Sequence, residues 1–319
     1  MPGSQNPRNA YAEQRELFGD SLEQLRSLPR LKEYMDKMDE YVSTGFHDAE
    51  VRLAHELANL TDTQVVTKAV ENVESNPNSI MAILASVRHE QYDYVQIVSP
   101  YMFAALYKDK DQNVIQDDAA NMLQWLEDNP DSTIHIVTNS VLTSDNFFTQ
   151  AVIDMDLAPR LLLSEEYQTW WLQKPEKSEL NPELVESDDW VRMINHPRLH
   201  IYETGKIDDV RFGGDVDHAK LHAKYTLSDE LGFVGTMNFD YRSRLYNNEM
   251  GFFFLSEELA ADVRANTEYL LGVSYRWGSP EWLEMRKQLM AQTDSKASRT
   301  RRQRGLYKFL KNTGLEWLF

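Results

Sequence analysis

Three short apolar runs sit close together between Leu221 and Leu255, and they leave the chain little local choice. The runs are Leu221–Leu227, Phe233-Val234-Gly235 and Met250–Leu255. Successive side chains of a strand point to opposite faces, so residues i and i+2 share one face. Read as a strand, Leu221–Leu227 turns Leu221, Ala223, Tyr225 and Leu227 to an apolar face, and His222, Lys224 and Thr226 to the other. Asp229, Glu230 and Gly232 supply a turn into the second run. Thr236, Asn238, Arg242, Ser243, Asn247 and Glu249 follow it, ahead of the third.

The ordered set His222, Lys224, Asp229, Gly235, Asn238, Ser243, Glu249 resembles the signature of the phospholipase D superfamily, His-x-Lys-x4-Asp followed by Gly-Ser/Thr-x-Asn. Arg242-Ser243 with Asn247 and Glu249 is similar to the Arg-Ser…Asn-x-Glu extension of its lipid-acting branch. There are two departures. The interval from Asp229 to Gly235 is one residue shorter than usual, and Thr236 stands where Ser is commoner. Neither removes a chemical group that the chemistry needs. His218-x-Lys220 repeats the first half of the motif, but Tyr225 occupies the place of the Asp. His218 therefore reads as a bystander, or at most a substrate contact. A lone His-x-Lys on an exposed edge strand would carry no chemistry; the residues in register with it are what distinguish this stretch.

The resemblance implies displacement at a phosphodiester. One imidazole attacks phosphorus and forms a phosphohistidine; a second protonates the leaving oxygen, then activates water or an alcohol. Histidine suits both tasks because its pKa lies near neutrality. By the same resemblance His222 is the nucleophile or the acid/base. Lys224 and Asn238 hold the phosphoryl oxygens, where donors stabilise developing charge. Glu249 orients His222, Asp229 and Ser243 support the phosphate pocket and its architecture, and Thr236 lies beside them. The chemistry requires no metal and no cofactor.

Family sites use two such motifs face to face, and this chain has one. None of His47, His55, His89, His135, His196 and His200 is followed by Lys two residues on. Either two identical chains pair about a two-fold axis, or an N-terminal half carrying the other motif is missing. Ser99-Pro100-Tyr101 after Val95–Val98, and Thr138-Asn139-Ser140 with Thr143 and Asp145 after Ile134–Val137, look like the second repeat of bacterial cardiolipin synthases. This likeness spans roughly residues 80–280 and makes Asn139 and Ser140 candidate substrate contacts, with turn chemistry as the plainer reading.

Charge bears on the substrate. The chain carries a net −18, yet residues 286–315 hold nine Lys/Arg against one acid, leaving 24 basic and 50 acidic residues elsewhere. So acidic a body repels nucleic acid, which makes it an unlikely partner and a nucleic-acid phosphodiesterase the second choice. The basic, aromatic stretch Arg299–Phe319 can lie on an anionic bilayer, or dock on the acidic body. With no cysteine there is no disulfide framework. MPGSQNPRNAYAEQ has no apolar core of the kind a signal peptide has, and no run approaches a membrane span. The expectation is a bacterial protein, cytoplasmic or peripheral to a membrane.

Periodicity along the rest of the chain predicts helices over 11–42, broken at Pro29, then over His47–Leu60 and Thr63–Val73. It predicts helices over Ser79–Glu90, Ala119–Asp128, Phe147–Met155, Ala158–Leu163 and Glu257–Leu271, and strands over Tyr94–Ser99, Thr133–Thr138 and Leu199–Glu203. Ser164–Trp190 reads as an insertion whose Trp170-Trp171 pack inward, and Gly205–Val216 as a loop into the motif. The expected fold is α/β: a phospholipase D-type mixed sheet flanked by helices over residues 78–280. A helical segment over 1–77 precedes it and a basic tail over 281–319 follows. The expected activity is phosphatidyl transfer or phosphodiester hydrolysis on glycerophospholipids, cardiolipin synthase-like. The third possibility is a non-catalytic half-site that only binds lipid or another chain.

Overall fold

The structure, a computed structural model, describes residues 47–56, 76–87, 92–109, 111, 113–173, 180–207 and 220–319. The chain divides into two compact units, residues 1–51 and 52–319. The helices expected over 11–42 and 63–73, His89, His218 and most of the loop 205–216 lie outside the described residues.

Strands β1 (Glu50–Glu56), β2 (Tyr94–Val98), β5 (Thr133–Asn139), β6 (Leu199–Thr204), β7 (Tyr225–Ser228), β8 (Leu231–Gly235), β9 (Glu249–Leu255) and β10 (Ser274–Arg276) form one sheet, in the order β1-β9-β8-β7-β2-β5-β6-β10. A small pair, β3 (Leu106–Lys108) and β4 (Val114–Asp117), stands apart from it. β2, β5 and β6 run parallel, while β7, β8, β9 and β10 pair antiparallel to their neighbours. The sheet is therefore mixed, as expected. One element is corrected: Glu50–Glu56, within the helix expected over His47–Leu60, is a strand. Val51 and Leu53 are exposed and Ala54 and Glu56 buried, and pairing within the sheet outweighs a local helix propensity that is a weak prior.

The helices are α1 (Ile80–Val87), α2 (Asp118–Asp128), α3 (Phe147–Val152), α4 (Ala158–Leu162), α5 (Glu165–Leu172), α6 (Pro182–Val185), α7 (Asp188–Ile194), α8 (Tyr241–Leu245), α9 (Glu257–Gly272), α10 (Pro280–Met290) and α11 (Ser295–Thr313). A π-turn, Ile153–Leu157, joins α3 to α4. Most starts are fixed by a side chain that accepts an otherwise orphaned N–H: Asp117, Asn146, Ser164, Asn181, Ser187, Asp240, Ser256, Ser279 and Asp294.

The main core lies on one face of the sheet, where Ile97, Ile134, Ile136, Leu199 and Ile201 meet the helices. Trp171, Trp190, Trp277 and Trp282 cluster there with ring centroids 5.2–6.1 Å apart. The insertion expected over Ser164–Trp190 is thus three short helices pinned by two of these rings. On the other face Val98, Val137, Leu221 and Tyr225 pack with Val263, Leu270 and Leu271 of α9.

The stretch after residue 280 packs into the body. Trp282, Met285 and Leu289 of α10, and Tyr307 and Leu310 of α11, belong to the main core. Arg304 donates to the Trp171 carbonyl at 2.8 Å, and Arg301 donates to the Gln292 carbonyl at 2.9 Å. The basic stretch is a docked helix whose buried cations answer carbonyls and carboxylates of the body.

Candidate active site

β2 and β5 are parallel, so the loops leaving them, residues 99–105 and 140–146, reach the same edge of the sheet. In open α/β sheets ligands meet such loops. β7 runs antiparallel to β2 with Tyr225 opposite Val98, which brings the preceding residues 220–224 over that edge.

Asn139, the last residue of β5, holds this segment. Its Oδ1 accepts the Leu221 N–H at 3.0 Å, and its Nδ2 donates to the Leu221 carbonyl at 3.1 Å and the Pro100 carbonyl at 3.2 Å. A side chain takes the place of a neighbouring strand here. The ladder therefore starts at Tyr225, and the strand expected over Leu221–Leu227 is shorter at its beginning. The alternation itself persists. Leu221, Tyr225 and Leu227 are buried, while His222 is exposed.

The His222 imidazole makes no hydrogen bond to any described residue. Its slight desolvation, then the ammonium groups of Lys224 and Lys220, hold its pKa below the ordinary value against the pull of Asp145. Lys224 is buried, and its Nζ donates to the His222 carbonyl at 2.8 Å. Desolvation and Lys220 lower its pKa, while Glu249 and Asp240 oppose the change. The Lys224 carbonyl accepts from Gly235 at 3.1 Å. Only glycine fits at 235: a Cβ there would stand 2.6 Å from the Met250 carbonyl oxygen and 2.7 Å from the Phe233 ring.

Asn238 lies between β8 and α8. Its N–H donates to Ser243 Oγ at 3.3 Å, and its Oδ1 is buried without a partner among the described residues. A buried carboxamide left unmatched is costly unless something else satisfies it. Ser243 is fully buried beneath this turn, its own N–H bonded to Asp240 Oδ1 at 2.7 Å. It shapes the turn that carries Asn238.

The other expected site residues are held by hydrogen bonds of their own. Glu249 stands on β9, two strands from β7. Its Oε2 accepts from Thr236 Oγ1 at 2.5 Å and its Oε1 from Asn247 Nδ2 at 3.1 Å, so it does not bond to His222. Thr236 is exposed, but its hydroxyl is spent on Glu249 and on the Met250 N–H, 3.0 Å away. Asp229 sits at the far end of β7 in a left-handed turn (φ 48°), where its Oδ2 accepts from the Asp93 N–H at 3.3 Å. Asn139 and Ser140 are wholly buried. Ser140 Oγ accepts the Leu142 N–H at 3.0 Å.

One group was missed as a unit. Lys220 Nζ lies 2.6 Å from Asp145 Oδ2 and 5.0 Å from the centre of the Tyr101 ring, and the Tyr101 hydroxyl bonds to Asp145 Oδ1. Tyr101 and Asp145 stood in segments expected near the site; their meeting with Lys220 had no sequence signal. Desolvation works against the Lys220 ammonium, but its hydrogen bonds to Asp145 and Tyr101 raise its pKa overall.

Two cavities stand out among the described residues, one lined by Ser144, Phe147 and Arg299, the other by Ile207, Tyr275 and Glu281; neither includes His222. His222 itself is exposed. Among the described residues, no group of three His, Cys, Asp or Glu is placed to hold a metal ion.

No family model matches the chain, and no curated protein matches it. Among solved structures it is similar to phosphatidylserine synthase from Haemophilus influenzae Rd KW20, at 12% identity and a TM-score of 0.47. That similarity covers 92% of this chain and 55% of the other, so the chain spans about half of that protein's length. It is similar also to the phospholipase D family member Nuc from Salmonella typhimurium, at 10% identity and a TM-score of 0.36, over 73% of this chain and all of that one. NucT from Helicobacter pylori gives 10% identity and a TM-score of 0.32, over 72% and 100%. Likeness of this degree leaves the chemistry to be argued from the residues.

Proposed function

We propose that this chain supplies one half of a phosphodiester-transfer site of phospholipase D type, acting on glycerophospholipids in the manner of a cardiolipin synthase. The observation that carries the reading is the His222 imidazole: exposed, free of hydrogen bonds to described residues, and set between two lysines where three loops converge. A neutral imidazole with a lone pair available can attack phosphorus. The N–P bond forms as the P–O bond to the departing alcohol breaks. That alcohol takes a proton from a second imidazole, which then deprotonates the incoming alcohol or water. The incoming oxygen then displaces the histidine, breaking the N–P bond; with the other imidazole as nucleophile, His222 instead protonates the departing alcohol and deprotonates the incoming one. Lys224 and Asn238 donate to the non-bridging oxygens.

The second imidazole comes from another copy of the chain or from a separate half carrying its own motif. The exposure of His222 supports a partner facing it. The outer side of α11, with Arg299, Arg302, Lys308 and Phe309 exposed, suits an anionic bilayer, each basic residue near the surface contributing about 1 kcal/mol. No helix among the described residues is long and apolar enough to cross a membrane.

The test incubates the chain with phosphatidylglycerol vesicles and, separately, with labelled DNA, the wild type beside His222→Ala, with the mass of the assembly measured in parallel. Lipid turnover that disappears in H222A supports the reading. Turnover that survives it removes His222 from the chemistry, and cleavage of DNA alone replaces the lipid by nucleic acid. Flotation with the triple variant R299E/R302E/K308E, which leaves the buried side of α11 intact, reads the bilayer contact.

A further inference from the structure

We propose that Lys220 is a third group holding the substrate phosphate, carried in readiness by Asp145 and Tyr101. The inference rests on the phosphodiester reading of His222 and adds to it a residue outside the His-x-Lys pair.

The geometry comes from three separate loops. Leu221 is buried and clamped by Asn139, which turns Lys220 and His222 to the side away from it. Lys220 and Lys224 thus flank His222, two residues to either side, and both act electrostatically on its imidazole. They differ in what they are doing. Lys224 is buried and bonded to the His222 carbonyl. Lys220 reaches the surface, its side chain 26% exposed against Asp145 at 57%. An ammonium has three N–H donors. Asp145 takes one, and the ammonium stands 5.0 Å from the centre of the Tyr101 ring, so donors remain for an anion beside His222.

The support is firm and the tie is weak. Asp145 sits in a loop fixed by Ser140 N–H to Thr143 Oγ1 at 3.1 Å, Thr143 Oγ1 to the Thr204 carbonyl at 3.2 Å, and the Asn146 cap of α3. A solvent-exposed ion pair contributes about 0–1 kcal/mol. A phosphate oxygen can therefore draw the ammonium from Asp145, while the Tyr101 ring keeps it over the site. Charge-assisted contacts to phosphate are stronger than such a pair.

The test uses inorganic phosphate as the probe and the full chain, with His222 followed by imidazole NMR and thermal unfolding run on each variant. In the wild type phosphate perturbs the His222 signal in a saturable way. Lys220→Met is expected to weaken phosphate binding about tenfold and to raise the His222 pKa, because a neighbouring positive charge is removed. Lys220→Arg should restore most of the affinity, since a guanidinium reaches the same anion. On lipid, K220M should raise KM with kcat little altered. Unchanged phosphate affinity and an unchanged His222 titration in a folded K220M protein would overturn the inference. The two readings fail separately. Loss of phosphate affinity in K220M without any lipid turnover keeps this inference and removes the lipid. Turnover dependent on His222 with an unaltered KM in K220M does the reverse.

Discussion

Asn139 grips Leu221 by both of its peptide groups, accepting from its N–H at 3.0 Å and donating to its carbonyl at 3.1 Å, across 82 residues of sequence. The clamp sits one residue before His222 and sets where the imidazole stands.

Asn139→Ala therefore strands two buried backbone groups at once, those of Leu221, while the Pro100 carbonyl keeps the Thr138 hydroxyl as a donor at 3.3 Å. Leaving a buried polar group unsatisfied costs about 1–3 kcal/mol, and a fall in the urea midpoint of that order is expected. Asn139→Asp keeps the acceptor and loses the donor, so it should fall between wild type and alanine. An alanine variant as stable as wild type would show that the clamp is dispensable.

Glu249 bonds to Thr236 and Asn247 and acts on Lys224 through its charge, which helps keep that lysine protonated against desolvation. Replacing it by an uncharged isostere, Glu249→Gln, should lower the Lys224 pKa. Activity that depends on the ammonium then declines at lower pH than in wild type. A pH–rate profile with an unmoved alkaline limb argues against this coupling.

Buried Glu203 accepts from Gln150 Nε2 at 3.0 Å and Trp282 Nε1 at 2.6 Å, and burial, with Asp154 beside it, raises its pKa well above the ordinary value of 4.5. A carboxyl whose folded pKa is raised keeps its proton in the native state after the unfolded chain has lost its own. Its stabilising contribution is full below the unfolded pKa and is lost as pH climbs toward the folded one. Stability of the wild type relative to Glu203→Gln should thus decline as pH rises above the unfolded carboxyl's ordinary value of 4.5. Parallel stability curves for the two proteins would contradict the assignment.

Arg286 and Asp154 form an ion pair at 3.0 Å with side-chain exposures of 1% and 0%, and Gln303 bonds to both. Removing one partner of a buried pair costs about 3–5 kcal/mol, because the other charge is left without compensation. Arg286→Met should reach that range in chemical denaturation, and the double variant R286M/D154L should recover much of it. A loss under about 1 kcal/mol in R286M would mean that solvent reaches Asp154.

The candidate site was legible in part. His222, Lys224, Gly235 and Asn238 stood out through their resemblance to the phospholipase D signature, strand alternation accounting only for the pairing of His222 with Lys224. The places of Tyr101 and Asp145 were visible as segments following strands, but their partner was not. Asp229 stands in the turn after β7 and Glu249 opens β9, as their places in the sequence suggest, but the hydrogen bonds of Glu249 to Thr236 and Asn247 had no sequence signal. The helix expected across Glu50–Glu56 failed because local propensity is a weak prior, and pairing within the sheet outweighs it.

Taken alone, the order of residues determined the apolar face of Leu221, Tyr225 and Leu227 and set His222 apart from it, since both follow from a period of two. Only the tertiary structure decided that Asn139 would hold Leu221, that Lys220 would rest on Asp145 across 75 residues, and that the basic helix α11 would bury Arg304 and Tyr307 in the core. Those contacts join distant segments, and the energy that selects them comes from desolvating and pairing polar groups once the sheet has brought them together.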